Sequence, residues 1–293
     1  MNTPRTQTPL PPGACDCHTH VFPEARDFPF HPSRRYTPPT ASIDALTALH
    51  DSLGIPRVVI VQPSVYGPDN AATLHALRVL GAGRARGVAV IEDDITDAAL
   101  DELATTGVRG VRVNLEIDKA GDAGEASAQM VRTAARVAPF GWHVQVYASM
   151  QLLADCSDVI RTLPVPVVFD HYAGVTAGMS ADRQGIERVL ALVEEGRAYV
   201  KLSAPYRCST QADHADLEPL AARFIACNPD RMLWGSDWPH PQPGVMPLAT
   251  DIFPPHEVDN THVLDQLRGW TADESTFRKI LVENPARLYG FGD

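Results

Sequence analysis

The sequence predicts an α/β protein folded as a single (β/α)8 barrel, on three observations. Eight short runs rich in Val, Ile and Leu alternate with stretches of helical periodicity, the pattern of a parallel sheet covered on both faces. The chain has 293 residues, and such a barrel needs roughly 250. The apolar runs also end in polar and titratable residues, and barrels of this kind carry their sites at the C-terminal ends of the strands.

Residues 1–13 are rich in Pro and Thr and lack an apolar segment of the secretory type, so they read as a flexible lead-in to one domain over 14–293. The first strand holds Asp16-Cys17-His18-Thr19-His20. Strict alternation puts Asp16, His18 and His20 on one face, and Cys15 and Cys17 on the other, toward the helices. Residues 21–40 form a Pro-rich connection with Phe28, Phe30, Arg34, Arg35 and Tyr36. A connection that long without periodicity reads as a lid or binding loop. The stripe Ile43, Leu46, Leu49, Leu53 with Gly54 as stop predicts a helix over 42–54.

Strands then follow at 57–62, 87–91, 108–115, 143–147, 165–171, 198–203 and 231–237. Helices are expected from Asp69 or Asn70 onward, then at 96–106, 124–137, 150–161, 181–195, 213–227 and 262–290. The strand ends bring to one rim His18 and His20, Gln62, Arg112 with Asn114, Gln145 with Tyr147, Asp170 with His171, Ser203 with Arg207 beyond it, and Asp237. That clustering is a stronger signal than any single motif.

Composition narrows the function. A net charge of −11 argues against nucleic-acid binding, which wants a basic footprint, and no apolar run approaches the ~20 residues of a membrane span. Five cysteines without framework spacing fit a reduced, cytoplasmic protein.

Asp237 follows the last apolar run with no lysine beside it, which suits a general base that takes a proton from water. His18, His20 and His171 share its rim and are placed to polarise a carbonyl. Arg112 and Arg207 are forks for an anionic substrate, with a salt bridge to Asp118 or Asp170 as the structural alternative for them. Arg109, deeper in its strand, reads as structural. His31, His50, His75, His214, His256 and His262 read as surface residues, and His240 is undecided because Pro239 precedes it.

These residues resemble the amidohydrolase superfamily, and within it the lactonase branch typified by 2-pyrone-4,6-dicarboxylate lactonases. The likeness runs through Asp16-Cys-His-Thr-His-Val-Phe22, Phe28-Pro-Phe30 with Tyr36, Gly67-Pro-Asp-Asn-Ala-Ala-Thr-Leu74 and Arg109-Gly-Val-Arg-Val-Asn114. It continues in Gly141-Trp-His143 with Tyr147, Val167-Val-Phe-Asp-His171, Trp234-Gly-Ser-Asp-Trp-Pro-His-Pro241 and Glu283-Asn-Pro-Ala-Arg-Leu-Tyr289. The resemblance implies a hydrolase in which Asp237 activates water and His18, His20 and His171 orient and polarise a lactone carbonyl. It places Tyr36, Ser64, Arg112, Tyr147 and Arg207 against the substrate.

Two departures bear on which lactone. The family carries arginines at the positions of Asp118 and Gly174, so a dicarboxylate pyrone fits less well than a monocarboxylate lactone, a sulfonated muconolactone or a sugar-acid lactone. Many amidohydrolases bridge two metal ions with a lysine on the fourth strand, and 108–115 has none. A metal-free reaction is expected. The alternative is one zinc held by His18, His20 and Asp237. A lactone isomerase, a metal-dependent decarboxylase and a non-enzymatic binder of small acids are the competing readings.

Overall fold

The computed structural model describes residues 8–115, 122–179, 183–242 and 248–292. Among them, eight strands form one parallel sheet in sequential order. They are β1 (Cys15–Thr19), β2 (Arg57–Val61), β3 (Ala85–Ala89), β4 (Val108–Asn114), β5 (His143–Tyr147), β6 (Val167–Phe169), β7 (Ala198–Ser203) and β8 (Met232–Gly235). The helices between them are α1 (Ile43–Leu53), α2 (Ala71–Leu80), α3 (Asp97–Thr106), α4 (Ala123–Val137), α5 (Met150–Asp155), α6 (Ser157–Thr162), α7 (Arg183–Glu194), α8 (Pro205–Cys208) and α9 (Glu218–Cys227). Three more, α10 (Asn260–Trp270), α11 (Glu274–Arg278) and α12 (Asn284–Tyr289), end the chain.

The predicted elements are present, with differences where short segments interrupt them. The helix expected over 150–161 is two, divided at Cys156. The one expected over 213–227 begins with a 3-10 turn at Ala215–Leu217. The lead-in lies outside the described residues up to residue 7, and Thr8 and Pro9 accept hydrogen bonds from Arg268. No helix among the described residues is long and apolar enough to cross a membrane.

Two apolar layers result. Outward-facing strand residues such as Ile60, Val111, Val144 and Trp234 pack on the helices. Inside the barrel, Val59, Val61, Val88, Val168, Leu233 and Tyr289 meet in a smaller cluster. Cys15 and Cys17 belong to that inner cluster, which corrects their expected packing toward the helices. The pairing of β1 with β2 shifts between Asp16 and Thr19, and such an irregularity breaks the alternation of faces. Asp16 therefore faces outward, where His50 of α1 lies 3.1 Å from its Oδ2. His50 is 1% exposed, not a surface residue.

Hydrogen bonds between β1 and the segment after β8 close the barrel at its C-terminal rim. Asp237 N donates to His18 O and His20 N to Trp238 O, both at 2.8 Å. Closure thus places the two histidines beside Asp237. Gly235 makes this approach feasible, because a Cβ there would lie 2.5 Å from His18 Cβ. At the opposite end, Arg86 donates to the Tyr289 and Gly290 carbonyls and caps the floor.

Candidate active site

A narrow cleft of about 30 Å3 opens at the C-terminal rim. Its walls include His20, Tyr36, Ser64, Arg112, Tyr147, His171, Arg207 and Asp237. All five expected substrate-contact positions and three of the four expected catalytic ones are therefore together. His18 lies beneath them, with Nε2 3.4 Å from Asp237 Oδ1.

The 21–40 connection reaches the cleft through Tyr36. Phe22, Tyr36, Ala41, Val65 and Tyr66 form an apolar cluster, with Phe28 and Phe30 packed against it, and Phe22 and Ala41 pair as an antiparallel bridge. Burial pushes the Tyr36 hydroxyl pKa up despite its hydrogen bond with Ser64, so it stays a neutral donor. Beyond Ser64, Arg112 and Asn114, a second cavity of about 520 Å3 shares those residues and is bordered by His31, Arg34, Arg35 and Glu92.

Asp237 is 1% exposed and has a left-handed backbone, φ +59. Such strain in a non-glycine residue clusters at functional sites. Its Oδ2 accepts a 2.5 Å hydrogen bond from Tyr206 and two at 3.4 Å from Arg207. Its Oδ1 lies 3.4 Å from both His18 Nε2 and His20 Nε2. Burial alone would raise its pKa. The His171 ring, a hydrogen bond from His20 and the Arg207 guanidinium outweigh that and hold it well below the usual carboxylate range. The group is a carboxylate at neutral pH.

The remaining histidines are fixed by distinct partners. His20 Nδ1 lies 2.8 Å from the Val61 carbonyl; a carbonyl only accepts, so the proton is on Nδ1. His171 also has positive φ, and its Nδ1 meets Ser203 Oγ at 2.9 Å. Burial depresses its pKa well below the ordinary value. For His18, burial and the Lys201 charge lower it to about 3, so this ring is neutral.

Under the cleft lies a buried polar network. Asp170, 1% exposed, accepts from Arg112 Nε and Nη2 at 3.3 Å and from Gln145 Nε2 at 3.1 Å. Lys201, fully buried, donates to Gln145 Oε1 at 2.6 Å. Its Nζ lies 3.6 Å from Asp170 Oδ1 and 3.2 Å from His18 Nδ1. Arg112 therefore serves two purposes, lining the cleft and pairing with Asp170. Asp118, the other partner considered for it, lies outside the described residues.

Sequence reasoning missed two of these groups. Lys201 is a lone lysine inside an apolar strand run, a visible signal, since buried lysines need partners. Tyr206 gave none, because its aim depends on the left-handed Ala204 (φ +49) that turns the chain into α8. Gln62, expected at the rim, turns away instead. It accepts from Thr73 and donates to the Gly67 and Asp69 carbonyls, pinning the loop into α2. Arg109 donates to the Ala104 and Val108 carbonyls, a structural role. His240 meets Asn260 at 3.2 Å and does not line the cleft.

Gly174 replaces an arginine in the family resemblance, and the geometry explains why one does not fit here. Its φ is +67, and a Cβ would lie 2.5 Å from the Ala148 carbonyl oxygen and 2.7 Å from Met150 N. Gly174→Arg is expected to cost at least ~2 kcal/mol of folding stability, from left-handed strain and a clash with backbone. A lower urea midpoint without gain in carboxylate binding is the outcome to look for. An undiminished midpoint would show that this loop rearranges freely.

Two triplets among the described residues bring ligand atoms close enough for a cation: His18, His20, Asp237 and His18, Asp170, His171. Comparison with known proteins adds the family. A model of the amidohydrolase family matches residues 15–291. The chain is 36% identical to a 2-pyrone-4,6-dicarboxylate hydrolase of Comamonas testosteroni, covering 98% of this chain and 93% of that one. It is 30% identical to a 4-sulfomuconolactone hydrolase of Hydrogenophaga intermedia, over 96% and 90%. It is 27% identical to a D-galactarolactone isomerase of Agrobacterium fabrum, over 96% and 92%. An eight-stranded barrel with HxH on its first strand, Asp237 after its last, and relatives along nearly its whole length make the chain a member of the amidohydrolase family, on the branch resembling 2-pyrone-4,6-dicarboxylate lactonase.

Proposed function

We propose that the protein hydrolyses an anionic ring lactone, with Asp237 as the base for the attacking water. The observation that carries this reading is the buried Asp237 carboxylate, flanked by two histidine nitrogens, in a cleft that two arginines also line. Water oxygen bonds to the lactone carbonyl carbon as its proton passes to Asp237. Negative charge gathers on the carbonyl oxygen, where the His18, His20 and His171 group stabilises it. The ring C–O bond then breaks, and the Asp237 proton goes to the departing oxygen. Arg207 and Arg112 present their guanidinium charge to the substrate anion, and Tyr36, Ser64 and Tyr147 complete the walls.

An incoming carboxylate also changes the base. Arg207 spends part of its fork on Asp237 in the free protein. Sharing that fork with a substrate anion relieves the pull on Asp237 and raises its basicity when water is in place.

The donor set supports a metal-free reaction. At His20 both nitrogens are engaged, Nδ1 with the Val61 carbonyl and Nε2 with Asp237. A ligand at His18 Nε2 needs the proton on Nδ1, and for that nitrogen the Lys201 ammonium competes with Asp170 Oδ1, each at 3.2 Å. Every step above is therefore assigned to the chain's own groups.

The test is turnover of a lactone panel by purified protein before and after chelation. The panel holds the pyrone dicarboxylate, sulfomuconolactone, muconolactone and sugar-acid lactones. Ring opening that survives chelation, with monoanionic lactones preferred to the dicarboxylate, is expected. Ring migration without net hydrolysis would replace this reading with isomerisation. Loss of activity on chelation and recovery with zinc would overturn the metal-free assignment.

A further inference from the structure

We propose that Lys201 is a positioning residue whose ammonium donates to His18 Nδ1 and so keeps the His18 proton on Nε2, facing Asp237. Three observations carry it. Lys201 Nζ lies 3.2 Å from Nδ1, in hydrogen-bonding geometry. Asp170 Oδ1 is equally close to Nδ1, but Lys201 Nζ lies 3.6 Å from that oxygen and meets its charge without the ring proton. The Gln145 amide, with its oxygen on Lys201 and its nitrogen on Asp170, identifies Lys201 as donor and Asp170 as acceptor.

The tautomer follows from valence. An ammonium has no lone pair to offer, so an Nδ1 that receives its proton carries none of its own. A neutral ring then bears its hydrogen on Nε2, 3.4 Å from Asp237 Oδ1. That places a donor beside the base, where a substrate oxygen or the attacking water needs one. The opposite tautomer, with Nδ1–H on Asp170, would free the Nε2 lone pair as in carboxylate–histidine–metal triads. Lys201 and Asp170 thus compete for one ring nitrogen, and the winner sets whether His18 donates a proton or offers a lone pair. A structural lysine would only fill space and balance Asp170; this one also selects the chemistry of a catalytic ring.

The tautomer itself is independent of substrate, and only its catalytic consequence rests on the lactone reading. Long-range proton–nitrogen NMR of the full chain with 15N-labelled histidine reads it directly, with His18 assigned by the signals missing from His18→Gln. The expected result is a neutral His18 protonated at Nε2. In Lys201→Met the proton should move to Nδ1, and zinc affinity, titrated without substrate, should rise about 10- to 100-fold, the usual weight of an outer partner on a metal ligand. Wild-type protein showing Nδ1–H, or a charged ring, overturns the proposal, and this holds even if Lys201→Met does not fold. A failed lactone panel with an Nε2–H spectrum would count against the substrate and leave the Lys201 assignment standing.

Discussion

Asp237→Asn should lower kcat for ring opening by about 10^3- to 10^4-fold with KM unchanged or lower. General-base catalysis is worth about 10^2- to 10^4-fold, and the upper range applies because Asp237 is the sole carboxylate among the residues lining the cleft. In transition-state terms the loss is about 4–5.5 kcal/mol. Asn keeps the shape and still accepts the Tyr206 hydrogen bond, but it cannot take the proton from water. The split between kcat and KM is diagnostic. Arg207, relieved of its carboxylate partner, has more of its fork for an anionic substrate, so binding should hold or tighten. Steady-state kinetics and equilibrium binding of a slow lactone measure the two quantities separately. Unchanged kcat with weakened binding would make Asp237 a structural partner of Arg207 and overturn its role as the base.

The site was more legible in the sequence than its support. Parallel strands buried on both faces stay apolar until they reach the mouth, so His18, His20, Arg112, Tyr147, His171 and Asp237 stand out by position. The resemblance added Ser64, in a short 3-10 turn, and gave Tyr36 of the 21–40 connection its place against the substrate; neither carries a periodic signal. Alternation failed at β1 because the register shift beyond Asp16 turns Asp16 to the helices and Cys15 and Cys17 to the interior. His50 was misplaced for a different reason. It occupies the same stripe as Leu46 and Leu53, all three buried, and reading helix polarity by residue type hid that position. Asp170 was visible at the end of β6, but its pairing with Lys201 spans two adjacent strands and depends on which residues face inward. β4, where the bridging lysine of a binuclear site belongs, has none. The functional lysine in this chain is on β7, with a hydrogen-bonding task.

The other large effect should be on folding. Asp170→Asn is expected to reduce the free energy of unfolding by about 3–5 kcal/mol, because it leaves Lys201 and Arg112 buried without their shared anion. Cutting the exposed pair Arg78–Glu102 should cost under ~1 kcal/mol, which makes it the control in the same urea titrations. The pH dependence has a definite sign. Burial alone would raise the Asp170 pKa, but the Lys201 and Arg112 cations beside it outweigh that and hold the carboxyl well below its ordinary value. A depressed folded pKa stabilises the protein above the unfolded value of about 3.9, and that contribution fades as pH falls toward the folded pKa. The gap between wild type and variant should therefore be full at neutral pH and narrow below about pH 4. A gap that stays under ~1 kcal/mol at neutral pH would mean that Lys201 sheds its proton when Asp170 is neutralised. The network would then tolerate loss of the anion by losing a cation, and His18 would be released to the other tautomer at the same time. Stability and ring protonation are thus coupled through one carboxylate that never reaches the cleft, so a substitution there should register in the urea midpoint and in the His18 spectrum together.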